Sequence, residues 1–148
     1  QLNAGGHRDQ GADAGHQPAP EHQRRAVAVE PGAAAVELLG ADAELVQPIF
    51  ISVDPARDTP EVLKKYLSYF HPGLLGLTGT PSTTKRTAEL FRARYEKVPA
   101  EDGDPTRYAM DHTASHYLVG PDGEFITKFA YGLPAAELAE GIRRYMNP

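Results

Sequence analysis

"QPIFISVDPARDTPEVLKKYLSYFHPGLLGLTG", residues 47–79, decides the fold. Its first nine residues are a short β-branched and apolar run ending in Asp54-Pro55, which suits a buried strand. Thr59 is then placed to cap a helix, and Pro60 fits a first turn where no backbone N–H is needed. Val62, Leu63, Tyr66, Leu67 and Phe70 recur at helical spacing and form one apolar stripe. His71-Pro72-Gly73 stops that helix, and "LLGLTG" (74–79) predicts a second short strand. Strand, helix and strand in so short a space predict an α/β layered unit.

The pattern extends downstream. "TPSTTKRTAELFRARYEKV" (80–98) repeats the Thr-Pro start and predicts a helix with Ala88, Phe91 and Tyr95 on its inner face. "PAEDGDPTRYAM" (99–110) predicts a polar loop or ragged hairpin. "SHYLVG" and "EFITKFA" flank Pro121-Asp122-Gly123, a strong antiparallel hairpin signal. "LPAAELAEGIRRYMN" predicts a closing helix with Leu138, Ile142 and Tyr145 inward. The expected architecture is therefore helices flanking a mixed sheet.

Upstream the text is different. All 12 aromatic residues and all 5 lysines lie at or beyond Phe50, whereas residues 1–49 hold 11 Ala and 6 Gly. Residues 1–32 have too little to bury and are expected to be a low-complexity segment, disordered or out of frame, ahead of a domain over 33–148. His7, His16 and His22 are irregularly spaced and make a poor metal trap. "AAAVELLGADAEL" (33–45) predicts a short helix with Gly40 as its break or cap. "RRAVAVE" (24–30) alternates weakly and is the one candidate for a strand before it.

Composition narrows the functions. A formal charge of −5 with pI near 5.6 argues against a nucleic-acid partner, since a phosphate-binding surface needs clustered Lys and Arg. No run approaches ~18 apolar residues, so nothing reads as a membrane span, and no signal peptide or anchor is visible. With Cys 0 there is no thiol nucleophile, which removes a thiol peroxidase or disulfide reductase. Neither a phosphate loop, nor paired catalytic carboxylates, nor a small-molecule site is visible. Asp54, Arg57 and Asp58 are read as local strand-end and cap residues, His71 as a surface residue, and Tyr108 and Tyr117 as packing residues.

The run "FISVDPARDTPEVLKKYLSYFHPGLLGLTGTP" followed by "DHTASHYLVGPDGEF" (111–125) closely resembles the SCO/SenC family. That resemblance covers roughly Leu39 to Pro148. It implies a thioredoxin-like, non-enzymatic, copper-binding protein for assembly of cytochrome c oxidase. The implied partners are an oxidase subunit carrying a copper centre and other copper chaperones, at the periplasmic face of the bacterial inner membrane. The histidine of the Asp-His-[Ser/Thr] element is a copper ligand in that family, which maps onto His112. The family's other two ligands are cysteines of a CPxxC-type motif, expected near residues 20–26, which read "PEHQRRA". We expect the part carrying that motif to be missing or frame-shifted, and the central first strand of the sheet to be lacking or replaced.

The chemistry follows from that loss. Two thiolates and an imidazole make a soft, low-coordinate site suited to Cu(I), whereas one imidazole alone holds copper weakly. His116 on a continuous strand would stand roughly 13 Å from His112 at ~3.3 Å per residue, too far to share an ion without a sharp bend at 113–115. Asp111 is a candidate to orient the His112 ring. Copper handling impaired by the missing cysteines is the expected function. A metal-free thioredoxin-like interaction module in respiratory assembly is the alternative.

Overall fold

The computed structural model describes residues 21–146. Helix α1 (Glu21–Leu38) leads through a 3-10 turn (Gly40–Leu45) into strand β1 (Ile49–Ile51). Helix α2 (Pro60–Leu67), strand β2 (Leu75–Leu77) and helix α3 (Pro81–Leu90) follow. Strands β3 (Tyr95–Pro99), β4 (Tyr108–His112), β5 (His116–Val119) and β6 (Phe125–Phe129) precede helix α4 (Ala135–Met146). The strands form three ladders: β1 with β2 in parallel, and β3 with β4 and β5 with β6 antiparallel.

Local chemistry sets the helix starts. The Thr59 hydroxyl accepts from the Val62 N–H at 3.3 Å, with Pro60 in the first turn. Thr80 and Thr83 form a reciprocal capping box at the head of α3. α2 lies on the β1/β2 ladder because Gly76 leaves room: a Cβ there would stand 2.7 Å from Leu67 Cδ1 and 3.2 Å from Leu63 Cβ. Leu63, Leu67 and Val29 form one buried cluster, with Phe50, Tyr66, Phe70 and Leu74 against it. Val62, expected on the same stripe, is 48% exposed, because the stripe that meets the sheet is narrower than the run of apolar residues.

A second cluster joins the two ends of the chain. Ala35 and Leu39 from the end of α1 pack on Leu138, Ala139 and Ile142 of α4. Arg143 Nη2 donates to the Leu38 carbonyl at 2.6 Å, satisfying an acceptor that the end of α1 leaves open. Gly40 has φ +60, a left-handed conformation that glycine adopts without penalty, so it does terminate the helix. Tyr145, expected inward, is 49% exposed on the far side of α4.

Three expectations need correction. Residues 24–30 are helical, not a strand, since α1 runs through them and through Pro31. An alanine-rich segment favours helix over a half-polar alternation. Helix α1 also crosses the boundary expected at 32/33, and His7 and His16 lie outside the described residues. Finally, Tyr95 is not on the third helix. α3 ends at Leu90, Arg92 takes φ +50, and Tyr95 opens β3, where five residues pair with β4. The cross-strand ladder outweighs the helical spacing of that segment.

Among the described residues, β1 has β2 as its one ladder neighbour and β5 has β6. Among the same residues no strand pairs with both β1 and β5. The consequence is visible on β1/β2. Ile49, Ile51, Leu75 and Leu77 share one face, and each is at least 39% exposed, although parallel ladders are ordinarily covered on both faces.

Candidate metal centre

β4 delivers His112 to the surface. The antiparallel ladder sets Tyr95 opposite His112 and Lys97 opposite Met110. Just beyond the strand, the Thr113 N–H donates to the Arg94 carbonyl at 2.8 Å, and the Arg94 N–H donates to Thr113 Oγ1 at 3.1 Å. These bonds hold the backbone on both sides of the imidazole. His112 is exposed and borders two open depressions, of about 620 and 410 Å³. The first is lined from α3 and β3 by Ala88, Glu89 and Tyr95, the second by Met110, Ser115 and Tyr131.

The ring has one defined partner. His112 Nδ1 lies 3.3 Å from the Thr113 carbonyl oxygen, which can only accept, so Nδ1 is the donor there and Nε2 is the nitrogen left for another partner. Asp111 does not take the orienting role expected of it. The ring's contact is with the Thr113 carbonyl, while Asp111, the residue before His112 and across from Glu96, borders the same two depressions without bonding the ring. Asp111 and His112 close β4.

His116 is set apart from His112. Residues 113–115 leave the β3/β4 ladder, and His116 begins β5 in another. It is half-buried against α1, with Nε2 where a Cβ on Gly32 would stand 3.0 Å away. Its Nδ1 is buried and has no hydrogen-bond partner among the described residues. Burial holds its pKa below the ordinary 6.5. As pH falls, the unfolded chain therefore binds this proton before the folded one does. Its contribution to stability is complete above about 6.5 and is lost as pH drops through and below that value, levelling off under the folded pKa. Melting temperature is accordingly expected to fall between pH 7.5 and pH 5 more steeply for the wild type than for His116→Gln. Parallel curves would show that burial of this imidazole contributes nothing.

A network that the sequence presented as separate residues anchors β4 at its other end. Arg57 Nε bonds the buried Asp54 carboxylate, and Arg57 Nη1 donates to the Tyr108 carbonyl at 2.9 Å. The Tyr108 hydroxyl donates to Asp54 Oδ1 at 3.1 Å. Arg57 and Lys97 lie over the Tyr108 ring at 3.9 and 3.8 Å from its centroid. Ser52 Oγ donates to Asp58 Oδ2 at 2.5 Å and accepts from the Asp54 N–H at 3.0 Å. Arg57 does pair locally with Asp54, but β1 ends at Ile51, Thr59 takes the cap and Asp58 accepts from Ser52; Tyr108 from β4 joins them, which spacing alone could not reveal.

The donor set does not fit a three-ligand copper site. The chain contains no cysteine, and among the described residues no three His, Cys, Asp or Glu side chains group so as to hold a metal ion. Among the same residues, no helix is long and apolar enough to cross a membrane.

Comparison with known proteins gives consistent matches. The sequence pattern of the family described as SCO1/SenC matches residues 26–147. The human SCO1 homolog, mitochondrial, is 41% identical over 101 residues, which are 68% of this chain and 33% of that protein. Protein SCO2, mitochondrial, from Saccharomyces cerevisiae is 46% identical over 102 residues, 69% of this chain and 34% of that one. The solved structure of Bradyrhizobium japonicum ScoI with copper bound is 40% identical with a TM-score of 0.70, covering 85% of this chain and 77% of that one. The chain thus spans about a third of the length of these two curated relatives.

Proposed function

Because the chain belongs to the SCO1/SenC family and has its thioredoxin-like α/β fold, we propose that it is a copper-handling factor for cytochrome c oxidase assembly whose hold on copper is impaired. The ion is its cargo, and no turnover of substrate is involved. One observation carries this reading: His112 presents an exposed imidazole with a free Nε2 at the border of two depressions. The family resemblance supports copper at that position, and the solved Bradyrhizobium japonicum ScoI has copper bound. The impairment follows from Cys 0, since the thiolates would supply the negative charge and most of the soft-ligand affinity. An oxidase subunit with a copper centre and other copper chaperones are the proposed partners, at the periplasmic face of a bacterial inner membrane.

The test is anaerobic titration of Cu(I) against a chromophoric chelator. Wild-type protein is expected to bind Cu(I) weakly, and His112→Ala to weaken it further by about ten-fold, the loss of one coordinate bond being worth at least ~1.4 kcal/mol. Tight binding that ignores His112→Ala would overturn the proposal.

One observation favours the alternative, a metal-free interaction module. The apolar face of Ile49, Ile51, Leu75 and Leu77 is open, as protein-binding surfaces often are. Under that reading copper leaves the melting temperature unchanged, since only a ligand of the native state raises apparent stability.

A further inference from the structure

We propose that Met110 and His112 act together as a two-donor site for Cu(I), one thioether and one imidazole from the same face of β4. The inference rests on the copper reading of His112 and goes beyond it by adding a second ligand outside the cysteine and histidine set. Residues i and i+2 of a strand point to one side, and Met110 and His112 stand in that relation within β4. Both border the same depression of about 410 Å³, beside Tyr131 and Ser115. Two residues so spaced are ~7 Å apart along the strand, a gap that two long side chains can close through one ion.

The donors are matched and prepared. Thr113 holds the proton on His112 Nδ1, so Nε2 is the free nitrogen, and backbone bonds to Arg94 fix the strand end that carries the ring. Met110 is half-buried and held in the ladder opposite Lys97, so its thioether starts from a fixed backbone. Lys97 does not compete for the same space, because its ammonium lies 3.8 Å from the centroid of the Tyr108 ring. Thioether and neutral imidazole carry no charge and are soft or borderline donors, a set that favours Cu(I) over Cu(II) and over hard ions such as Mg²⁺ or Ca²⁺. Asp111 borders the same depression, and as a hard carboxylate donor it is the poorer match for Cu(I).

The chain has two methionines, and the other one, Met146, packs against the α1/α4 cluster, so it serves as an internal control. With methyl-¹³C methionine, addition of Ag(I), a redox-silent substitute for Cu(I), is expected to shift the Met110 methyl signal and leave that of Met146 in place. Chelator competition should then show Met110→Leu weakening Cu(I) binding by about ten-fold, close to the effect of His112→Ala, with the double variant little worse than either. Met110→Leu conserves volume and is expected to keep the fold. If His112→Ala weakens Cu(I) binding while Met110→Leu leaves it intact, the pair is refuted and the copper reading of His112 survives. If neither variant changes the titration, both fail. An unmoved Met110 methyl at saturating Ag(I) refutes the pair on its own.

Discussion

Leu63→Ala is expected to destabilise the fold by about 3–4 kcal/mol, the range for a fully buried leucine whose site cannot collapse. Leu63 is 1% exposed and touches the cluster that joins α1, α2 and the β1/β2 ladder through Val29, Leu67 and Phe50. Few residues could move to fill the space, because Gly76 already brings the ladder backbone against this helix. A domain of this size has ~5–15 kcal/mol of stability in total, so the variant loses a large share of it. The neighbouring Val62→Ala is the control, since Val62 is 48% exposed and its truncation is expected to be near neutral. Urea unfolding should show the midpoint falling for Leu63→Ala with the slope unchanged. Equal effects at the two positions would mean that α2 presents a different face to the ladder.

Asp54→Ala is expected to cost about 2–3 kcal/mol and to loosen the β3/β4 hairpin. The carboxylate is buried, binds Arg57 Nε and accepts from the Tyr108 hydroxyl at 3.1 Å. Removing one partner of a buried charge pair costs ~3–5 kcal/mol because the remaining charge keeps its desolvation penalty. The lower figure applies here because the Arg57 side chain is 29% exposed and water recovers part of the loss. Arg57 also holds the Tyr108 carbonyl, so the damage should propagate along β4 toward Met110 and His112. Amide exchange across 108–112 is the measurement. Faster exchange there, with exchange in α4 unchanged, is the expected pattern. Uniform acceleration through the chain would show that the network supports global stability and does not specifically position the strand. Asp54→Asn should retain part of the Tyr108 bond and lie between wild type and alanine.

Much of the site's address could be read before its geometry was known. The proposal for His112 rests on the family resemblance of the Asp111-His112-Thr113 element; residue spacing by itself offers only a strand-edge histidine. Met110 did not stand out, because 99–110 reads as a polar loop or ragged hairpin, and the hairpin that forms there has a register the residues do not announce. Once β4 is recognised as a strand ending at His112, Met110 is placed on the same face by alternation alone. Asp111 was misjudged because the His112 ring takes the Thr113 carbonyl as its partner, a backbone contact that residue types do not reveal. His116 was read on one continuous strand with His112, whereas the chain breaks at 113–115 and the dry environment of His116 depends on α1, a contact between residues far apart in the chain.

What the amino-acid order determined by itself is local: helix starts at Thr59-Pro60 and Thr80-Pro81, the turn at Pro121-Asp122-Gly123, the break at Gly40, and the absence of any thiolate to hold copper. Each depends on a φ preference, a side-chain cap or an element of composition, and each acts within a few residues. The tertiary structure alone decided that 24–30 is helix, that Tyr95 pairs in a strand, that Tyr108 closes on Asp54 and Arg57, and that one face of β1/β2 stays open. These outcomes depend on which distant segments meet, because burial and ladder hydrogen bonds are worth more there than the weak local preferences they override.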